Sequence, residues 1–244
     1  MKKYIHAGTI ALKQMKEFFV NFIGQIVYFP IKFAIIFLLW KYVYSSMSGE
    51  VGYTFEEMIG YYFIFSVIEA ALMTSSSVTY EEWEIINSGE LNMYLTRPIS
   101  YPVYAYAQKA GEFLVNTVIG IFFVYLSALC MRVFFDVDIV LTHPAAFFIA
   151  LFFGFTIMVN LFQIIGHVTF WVENVLSLRD NLWNVIRIFS GAIFPVAMYP
   201  PILQKLCGIL PFQYIYYVPV SIFQNKIQGQ EMWDYLVFQM IWCF

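Results

Sequence analysis

Hydrophobic runs of about 20 residues recur along this chain, and a helix needs about that length to cross the hydrocarbon core of a bilayer. Charged residues make up 12% of the 244 residues, whereas a soluble domain carries about a quarter. The sequence does not show the short alternating segments that are typical of a transmembrane β-barrel. We therefore predict an all-α fold, a polytopic bundle of transmembrane helices.

The spacing of the hydrophobic runs predicts about six crossings within one transmembrane domain, residues 1–244. Pro30 lies inside the first crossing and should kink it without breaking it. The last run reaches Phe244 after about 13 residues, which is too short to span, so the chain is either tilted at its end or C-terminally incomplete, and we favour the second. The predicted crossings are Phe19–Tyr44, Met58–Val78, Phe113–Phe135, Ala146–Phe170 and Trp183–Met198, and the sixth begins near Met232.

The chain ahead of the first crossing, Ile5–Val20, places apolar residues at helical spacing, with Lys13 and Lys16 between them. This pattern predicts an amphipathic helix that lies along the inner surface of the membrane. A cytosolic extension of the first transmembrane helix is the alternative.

The distribution of lysine and arginine predicts the orientation, because cytoplasmic loops carry an excess of positive charge. With the N-terminus in the cytoplasm, cytoplasmic lysines and arginines outnumber external ones about two to one. Residues 79–112 and 171–182 then become cytoplasmic loops, and residues 199–230 lie outside.

Residues 199–230 contain apolar pieces that are each too short to cross, separated by Pro211 and Pro219. We predict that they form external re-entrant or interfacial half-helices before the last crossing. Tyr214, Tyr216 and Tyr217 suit the headgroup region, where an aromatic ring can be half-hydrated.

The sequence carries no recognisable catalytic motif. It contains no G-x-x-x-x-G-K-[ST] phosphate-binding loop, so we expect no ATP hydrolysis by this chain. Its three histidines are far apart, and its three cysteines fall in apolar runs without the spacing of metal ligands. We predict no catalytic residue, metal site or cofactor in the chain itself, and no nucleic-acid partner.

Two ionisable residues lie inside predicted crossings, Lys32 in the first and Glu69 in the second. A charge near the bilayer centre costs roughly 2.5–3.5 kcal/mol on insertion scales, so both should face protein or water. Counted from the cytoplasmic ends, Lys32 lies about 20 Å deep and Glu69 about 14 Å deep, a gap that long side chains can close. We predict an ion pair, which either lines a substrate path or a subunit interface, or only holds two helices together.

Asn160, Gln163 and His167 fall on one face of the fourth crossing, at spacings i, i+3 and i+7. Such a polar stripe more often makes hydrogen bonds between helices than a ligand site. We therefore expect it to hold helices together.

Residues 79–112 form the longest polar interruption in the first half of the chain. Glu81, Glu82 and Glu84 precede Gly89, which we expect to end a helix in a left-handed conformation. The glutamates are either contacts for a partner protein or a solvated helix face.

The segment IINSGELNMYLTRPIS resembles the cytoplasmic loop of the type-2 ABC exporter permeases, in the subfamily with a Gly…Leu…Arg-Pro pattern. A second block, FPVAMYP followed by LPFQYIYYVP, is similar to the external half-helix region of the same subfamily. The positions that match the loop pattern are Ile86, Gly89, Leu91, Leu95, Arg97, Pro98 and Ile99.

The resemblance implies a permease subunit that forms the substrate path of an ATP-driven exporter in a bacterial plasma membrane. A cytosolic ABC ATPase dimer would bind ATP and magnesium, and two permeases, alike or different, would pair among the membrane lipids. The expected cargo is a multidrug or lipid-like substrate. The residues that would couple the permease to the ATPase are Glu81, Glu82, Glu84, Ile86, Gly89, Arg97 and Pro98.

An ion-coupled secondary transporter or channel is the alternative, and it would use Lys32 and Glu69 for coupling without an ATPase. A membrane assembly protein that transports nothing is a further possibility. The long acidic loop favours the ATP-driven interpretation.

Overall fold

The computed structural model describes residues 15–46, 52–96, 100–135 and 143–244. Within these ranges the chain is helical and contains no β-strand, so the predicted all-α class is confirmed. The predicted amphipathic helix Ile5–Val20 falls largely outside the described residues. The helices are α1 (Met15–Ser46), α2 (Phe55–Leu72), α3 (Ser77–Ser88), α4 (Leu91–Leu95), α5 (Tyr101–Phe135), α6 (Pro144–His167), α7 (Leu176–Phe189), α8 (Pro201–Ile209), α9 (Tyr217–Phe223) and α10 (Gly229–Trp242).

Two helical stretches in the described part of the chain are long and apolar enough to cross a membrane, Phe55–Ser88 and Pro144–Phe170. They overlap the predicted crossings Met58–Val78 and Ala146–Phe170. α1 continues through Pro30 as one helix. The total of six crossings stays a prediction.

α2 is a central helix, packed along α5 and also against α1. A capping box fixes its start: the Glu57 N–H donates to Thr54 Oγ1 (3.2 Å), and the Thr54 N–H donates to Glu57 Oε2 (2.9 Å). Side chains are buried on nearly every face of α2, which requires a helix that is apolar all round. The rings of Phe33 on α1 and Phe63 on α2 stack with centroids 4.0 Å apart.

α6 is the second central helix, and α3, α9 and α10 pack around it. Pro144 occupies its first turn, where an N–H would have no partner within the helix. Gln239 of α10 is fully buried, and its Nε2 donates to the carbonyls of Ala150 (2.9 Å) and Tyr214 (2.7 Å). One side-chain amide thus joins α10 to α6 and to the 3-10 turn Pro211–Tyr214.

The predicted fifth crossing, Trp183–Met198, is wrong as a continuous helix. α7 begins inside the predicted loop 171–182 and ends at Phe189. Gly191 then takes a φ of +84°, a left-handed conformation that favours glycine, and its carbonyl accepts a hydrogen bond from the Tyr61 hydroxyl (2.7 Å). The chain therefore turns against α2 in the middle of the hydrophobic run.

Residues 199–230 do form short helical pieces, namely α8, the turn Pro211–Tyr214 and α9. The expected half-hydrated position is wrong for Tyr214 and Tyr216, which are 3% and 2% exposed. They are buried because α9 and the turn before it pack against the central helices. Much of this segment belongs to the hydrophobic core, and its place outside the membrane stays a prediction.

Candidate functional site

The segment predicted as a cytoplasmic coupling loop, residues 79–112, is mostly helical. It contains most of α3, all of α4 and the first turns of α5. Thr79 Oγ1 donates to the Phe162 carbonyl on α6 (2.7 Å), and Trp83 Nε1 donates to the Glu173 carbonyl beyond it (2.7 Å). The segment is therefore anchored to the bundle and does not extend from it as a free loop.

Gly89 ends α3 in the left-handed conformation that its position predicts. Its φ is 77°, and its N–H donates to the carbonyl of Ile86 (3.3 Å). Ile86, another predicted coupling residue, is half-buried. α4 begins two residues later, so Gly89 sets the angle between α3 and α4.

The three glutamates of α3 have three different environments. Glu84 is exposed, and Glu81 is half-buried beside Lys109. Glu82 is 1% exposed, and neither of its carboxylate oxygens has a hydrogen-bond partner within the described ranges. Among these three predicted contacts for a partner protein, Glu84 alone has its side chain open to solvent.

A buried cation connects α3 to α5. Lys109 Nζ binds Glu81 Oε1 on the neighbouring helix and both oxygens of Glu112 on its own helix, at 3.1 Å each. The Lys109 side chain is 2% exposed, and a charge buried to that degree is stable only when it is paired and hydrogen-bonded. Two carboxylates around one ammonium group meet that requirement.

Glu82 lies against Gly166 and His167 of α6. A Cβ atom at position 166 would lie 2.0 Å from Glu82 Oε2, so the carboxylate occupies space that only glycine leaves open. His167 Nε2 lies 4.0 Å from Glu82 Oε1, which is too long for a hydrogen bond. The close packing of α3 against α6 thus depends on the absence of a side chain at position 166.

Tyrosine rings hold α4 against the start of α5. The ring of Tyr94 packs edge-on against Tyr101, with centroids 5.1 Å apart, and lies 5.7 Å from the ring of Tyr104. Burial raises the pKa of the Tyr101 hydroxyl, and the carboxylates of Glu82 and Glu81 raise it further. The Tyr101 hydroxyl therefore stays protonated beside these two acids.

α4 presents two apolar side chains to solvent, Met93 and Leu95, which are 44% and 73% exposed. The sequence interpretation used Leu95 only as a motif position and did not single out Met93. Arg97 and Pro98, which were also predicted as coupling residues, lie outside the described residues.

Lys32 and Glu69 meet between α1 and α2, where the depth argument places them. Lys32 Nζ binds Glu69 Oε2, and the two side chains are 15% and 36% exposed. The ammonium group also lies 5.1 Å from the ring centre of Phe65 and 5.8 Å from that of Tyr28. The role of this pair stays a prediction.

The Lys32–Glu69 pair lines a cavity of about 470 Å³ between α1, α2 and α7. Apolar and aromatic side chains form most of its wall, and Arg187 of α7 is a third charged group in it. The Arg187 guanidinium lies 5.6 Å from the centre of the Trp183 ring. Cavities of about 300–1,000 Å³ with apolar walls and few polar groups are typical of small-ligand sites.

Sequence reasoning missed Arg187 as a cavity residue, because the positive-inside argument counts it with the cytoplasmic charges. A signal was present, since Arg187 lies inside the predicted crossing Trp183–Met198, and charges within a crossing are rare and usually functional.

The polar stripe of α6 connects helices, as expected. Asn160 Nδ2 donates to the Cys243 carbonyl (3.0 Å), and Gln163 Nε2 donates to the Pro102 carbonyl (3.0 Å). These bonds join α6 to the end of α10 and to the start of α5.

Residues 30–244 match the family model described as ABC-2 family transporter protein. The chain belongs to the ABC-2 transporter family. The resemblance carried by the two motif blocks is thereby confirmed, and the apolar helices are those of a membrane protein. No curated protein sequence matches the chain. The range matched by the ABC-2 family includes α3, α4 and the Lys32–Glu69 pair.

Proposed function

We propose that this ABC-2 family protein is the transmembrane permease subunit of an ATP-driven exporter. Its N-terminus lies in the cytoplasm, where two copies of a separate ABC ATPase, which bind ATP and magnesium, dock on segment 79–112. A second permease, identical or related, completes the transporter within the lipid of the plasma membrane. The observation that carries the proposal is the buried cluster around Lys109, because it links α3 of the docking segment to the long helix α5, which continues into the bundle.

The Lys109 cluster supports a mechanical path from the ATPase to the membrane. Glu81 on α3 and Glu112 on α5 share one buried cation, so a displacement of α3 is passed to α5. α5 is 35 residues long, about 50 Å at 1.5 Å per residue, and it packs along α2. α2 carries Glu69, so the path reaches the cavity.

The surface offered to the ATPase is made by the exposed residues of α3 and α4. Glu84 supplies a negative charge for a basic partner groove, and Met93 and Leu95 supply apolar contacts of the kind that protein interfaces bury. Glu81 acts from inside by holding α3 on α5 through Lys109, and Glu82 is packed between α3 and α6. Arg97 and Pro98 keep the coupling roles that the family pattern implies.

The docking step is tested with the affinity-tagged chain, extracted in mild detergent together with the ABC ATPase of its own cell. The ATPase recovered is identified by its sequence and by ATP hydrolysis in the eluate. We expect Glu84→Lys to lower its recovery about tenfold, since reversing a contact charge in an interface costs more than 1.4 kcal/mol. Glu56→Lys is the matched control, because Glu56 is also an exposed glutamate, at the start of α2 on the predicted outer side.

If Glu84→Lys recovers as much ATPase as the wild type, the assignment of α3 and α4 as the docking surface is wrong. No ATPase from any preparation, even after gentle cross-linking, would favour the ion-coupled carrier, in which Lys32 and Glu69 bind the coupling ion. The two functions separate in proteoliposomes: an exporter transports with ATP and no ion gradient, and a carrier does the reverse.

A further inference from the structure

The charges in the cavity do not balance. Lys32 and Glu69 neutralise each other through a direct contact. Arg187 is the remaining charge of the wall, and among the described residues its guanidinium contacts the Trp183 ring and no carboxylate. The cavity therefore carries one net positive charge, located on α7.

We propose that the cavity binds an amphipathic molecule with a single anionic head group, and that Arg187 is the residue that binds this group. The inference rests on the proposed function, since it names the class of molecule that occupies the substrate path.

Arg187 fits this role better than Lys32 does. The ammonium group of Lys32 already has its carboxylate, so an incoming anion would have to displace Glu69. The guanidinium of Arg187 is planar and presents paired donors, which match a carboxylate or phosphate in a bidentate contact. The Arg187 side chain is exposed rather than enclosed by protein, so it is accessible to an incoming anion.

The walls select the rest of the ligand. Tyr28, Tyr62, Phe65 and Tyr216 line the cavity with aromatic rings, which suit an acyl chain or an apolar ring system. A volume of about 470 Å³ admits one such body. Glu69 stands beside the same space and disfavours a second anionic group on the ligand.

The test uses the chain in phosphatidylcholine nanodiscs, with two fluorescent probes that differ by one charge: dansyl-labelled undecanoate and its methyl ester. The signal of empty nanodiscs is subtracted. We expect Arg187→Ala to raise the Kd of the acid about tenfold, the value of one charge-assisted contact, and to change the Kd of the ester less than about twofold. Arg187→Lys keeps the charge and should restore much of the binding of the acid.

Arg179→Ala is the matched control, since Arg179 lies on the same helix but contacts Asp180 outside the cavity. It should leave both probes unaffected. The inference is overturned if the wild-type chain binds acid and ester equally well, if Arg187→Ala weakens both probes alike, or if it weakens neither.

A second arm distinguishes two sources of the anionic amphiphile. Phosphatidylglycerol is added to the nanodiscs, and the binding of the acid is measured again. Competition that disappears in Arg187→Ala supports the inference with a bilayer lipid as the occupant. Tight binding of the acid without competition supports it with an amphiphile that is not a bilayer lipid.

These measurements contain no ATPase, so they separate the inference from the proposed function. If the chain binds the acid selectively but recovers no ATPase, the anionic ligand class is supported and the ATP-driven function is wrong. If the chain recovers the ATPase but binds acid and ester alike, the exporter function is kept and the anionic ligand class is wrong.

Discussion

Lys109 and Lys32 each bind a carboxylate across a contact between helices, but the fold encloses them differently. Lys109 is 2% exposed and is surrounded by Glu81 and Glu112, so acid exceeds base in that cluster. Lys32 is 15% exposed, has one carboxylate partner, and shares its cavity with a second cation. The enclosed Lys109 cluster, with more acid than base, holds helices together. The cavity at Lys32, which is more open and has more base than acid, is the one that a ligand can enter.

The largest effect is expected at Lys109. Lys109→Met leaves two partly buried carboxylates without their cation, and breaking such a cluster costs about 3–5 kcal/mol. We expect a strong fall in Tm and in the yield of folded protein, measured by fluorescence size-exclusion chromatography after heating. Adding Glu81→Gln and Glu112→Gln should recover much of the loss, because the uncompensated charges are then gone. A Tm within a degree or two of the wild type for Lys109→Met alone would show that this cluster does not hold the helices.

A smaller effect is expected at Lys32. Lys32→Glu places two carboxylates together, but Glu69 is 36% exposed towards the cavity, so we expect a loss of about 1–2 kcal/mol, less than at Lys109. The swapped double variant, Lys32→Glu with Glu69→Lys, should return the Tm towards the wild type. If the double variant is as unstable as the single one, the two residues do not stabilise each other.

Gly89→Val changes coupling more than stability. A residue with a β-carbon at φ 77° costs roughly 1–2 kcal/mol and alters the angle between α3 and α4. We expect normal membrane insertion with loss of ATP-driven transport. Gly52→Val is the matched control, because Gly52 has a φ of +74° and equally open surroundings but lies outside segment 79–112. Normal transport by Gly89→Val would remove Gly89 from the coupling residues.

The smallest effect is expected at Arg179. Its ion pair is with the next residue, Asp180, and the two side chains are 27% and 63% exposed; ion pairs at the surface contribute little. Arg179→Ala should change the free energy of unfolding by less than about 0.5 kcal/mol. A larger loss would mean that the contrast between buried and exposed charge does not govern this fold.

Features that depend on residues close in sequence, or on simple helix geometry, could be predicted from the sequence. Gly89 ends α3 because a left-handed residue after a helix favours glycine. The Lys32–Glu69 contact follows from two depths along neighbouring helices. Both inferences needed a helical period and little else.

Features that depend on contacts between distant parts of the chain could not be predicted from the sequence. The burial of Glu82 requires Gly166, which lies far along the chain, and the sequence gives no sign that the two meet. Tyr216 resembles a headgroup tyrosine in composition, but the packing of α9 buries it. Arg187 lines the cavity together with Ala192 and Ile193, which follow the turn at Gly191, inside a run whose hydropathy predicts an uninterrupted helix.

The amide of Gln239 has a consequence for how the protein is made. Its two acceptors, on Ala150 and Tyr214, are synthesised 89 and 25 residues before the donor. The bond to Ala150 therefore forms only after α10 has been made, so α6 must be placed before the amide can join it to the turn at Tyr214. A chain that ends before Gln239 would keep both acceptor carbonyls but lack the amide that joins them to the last helix.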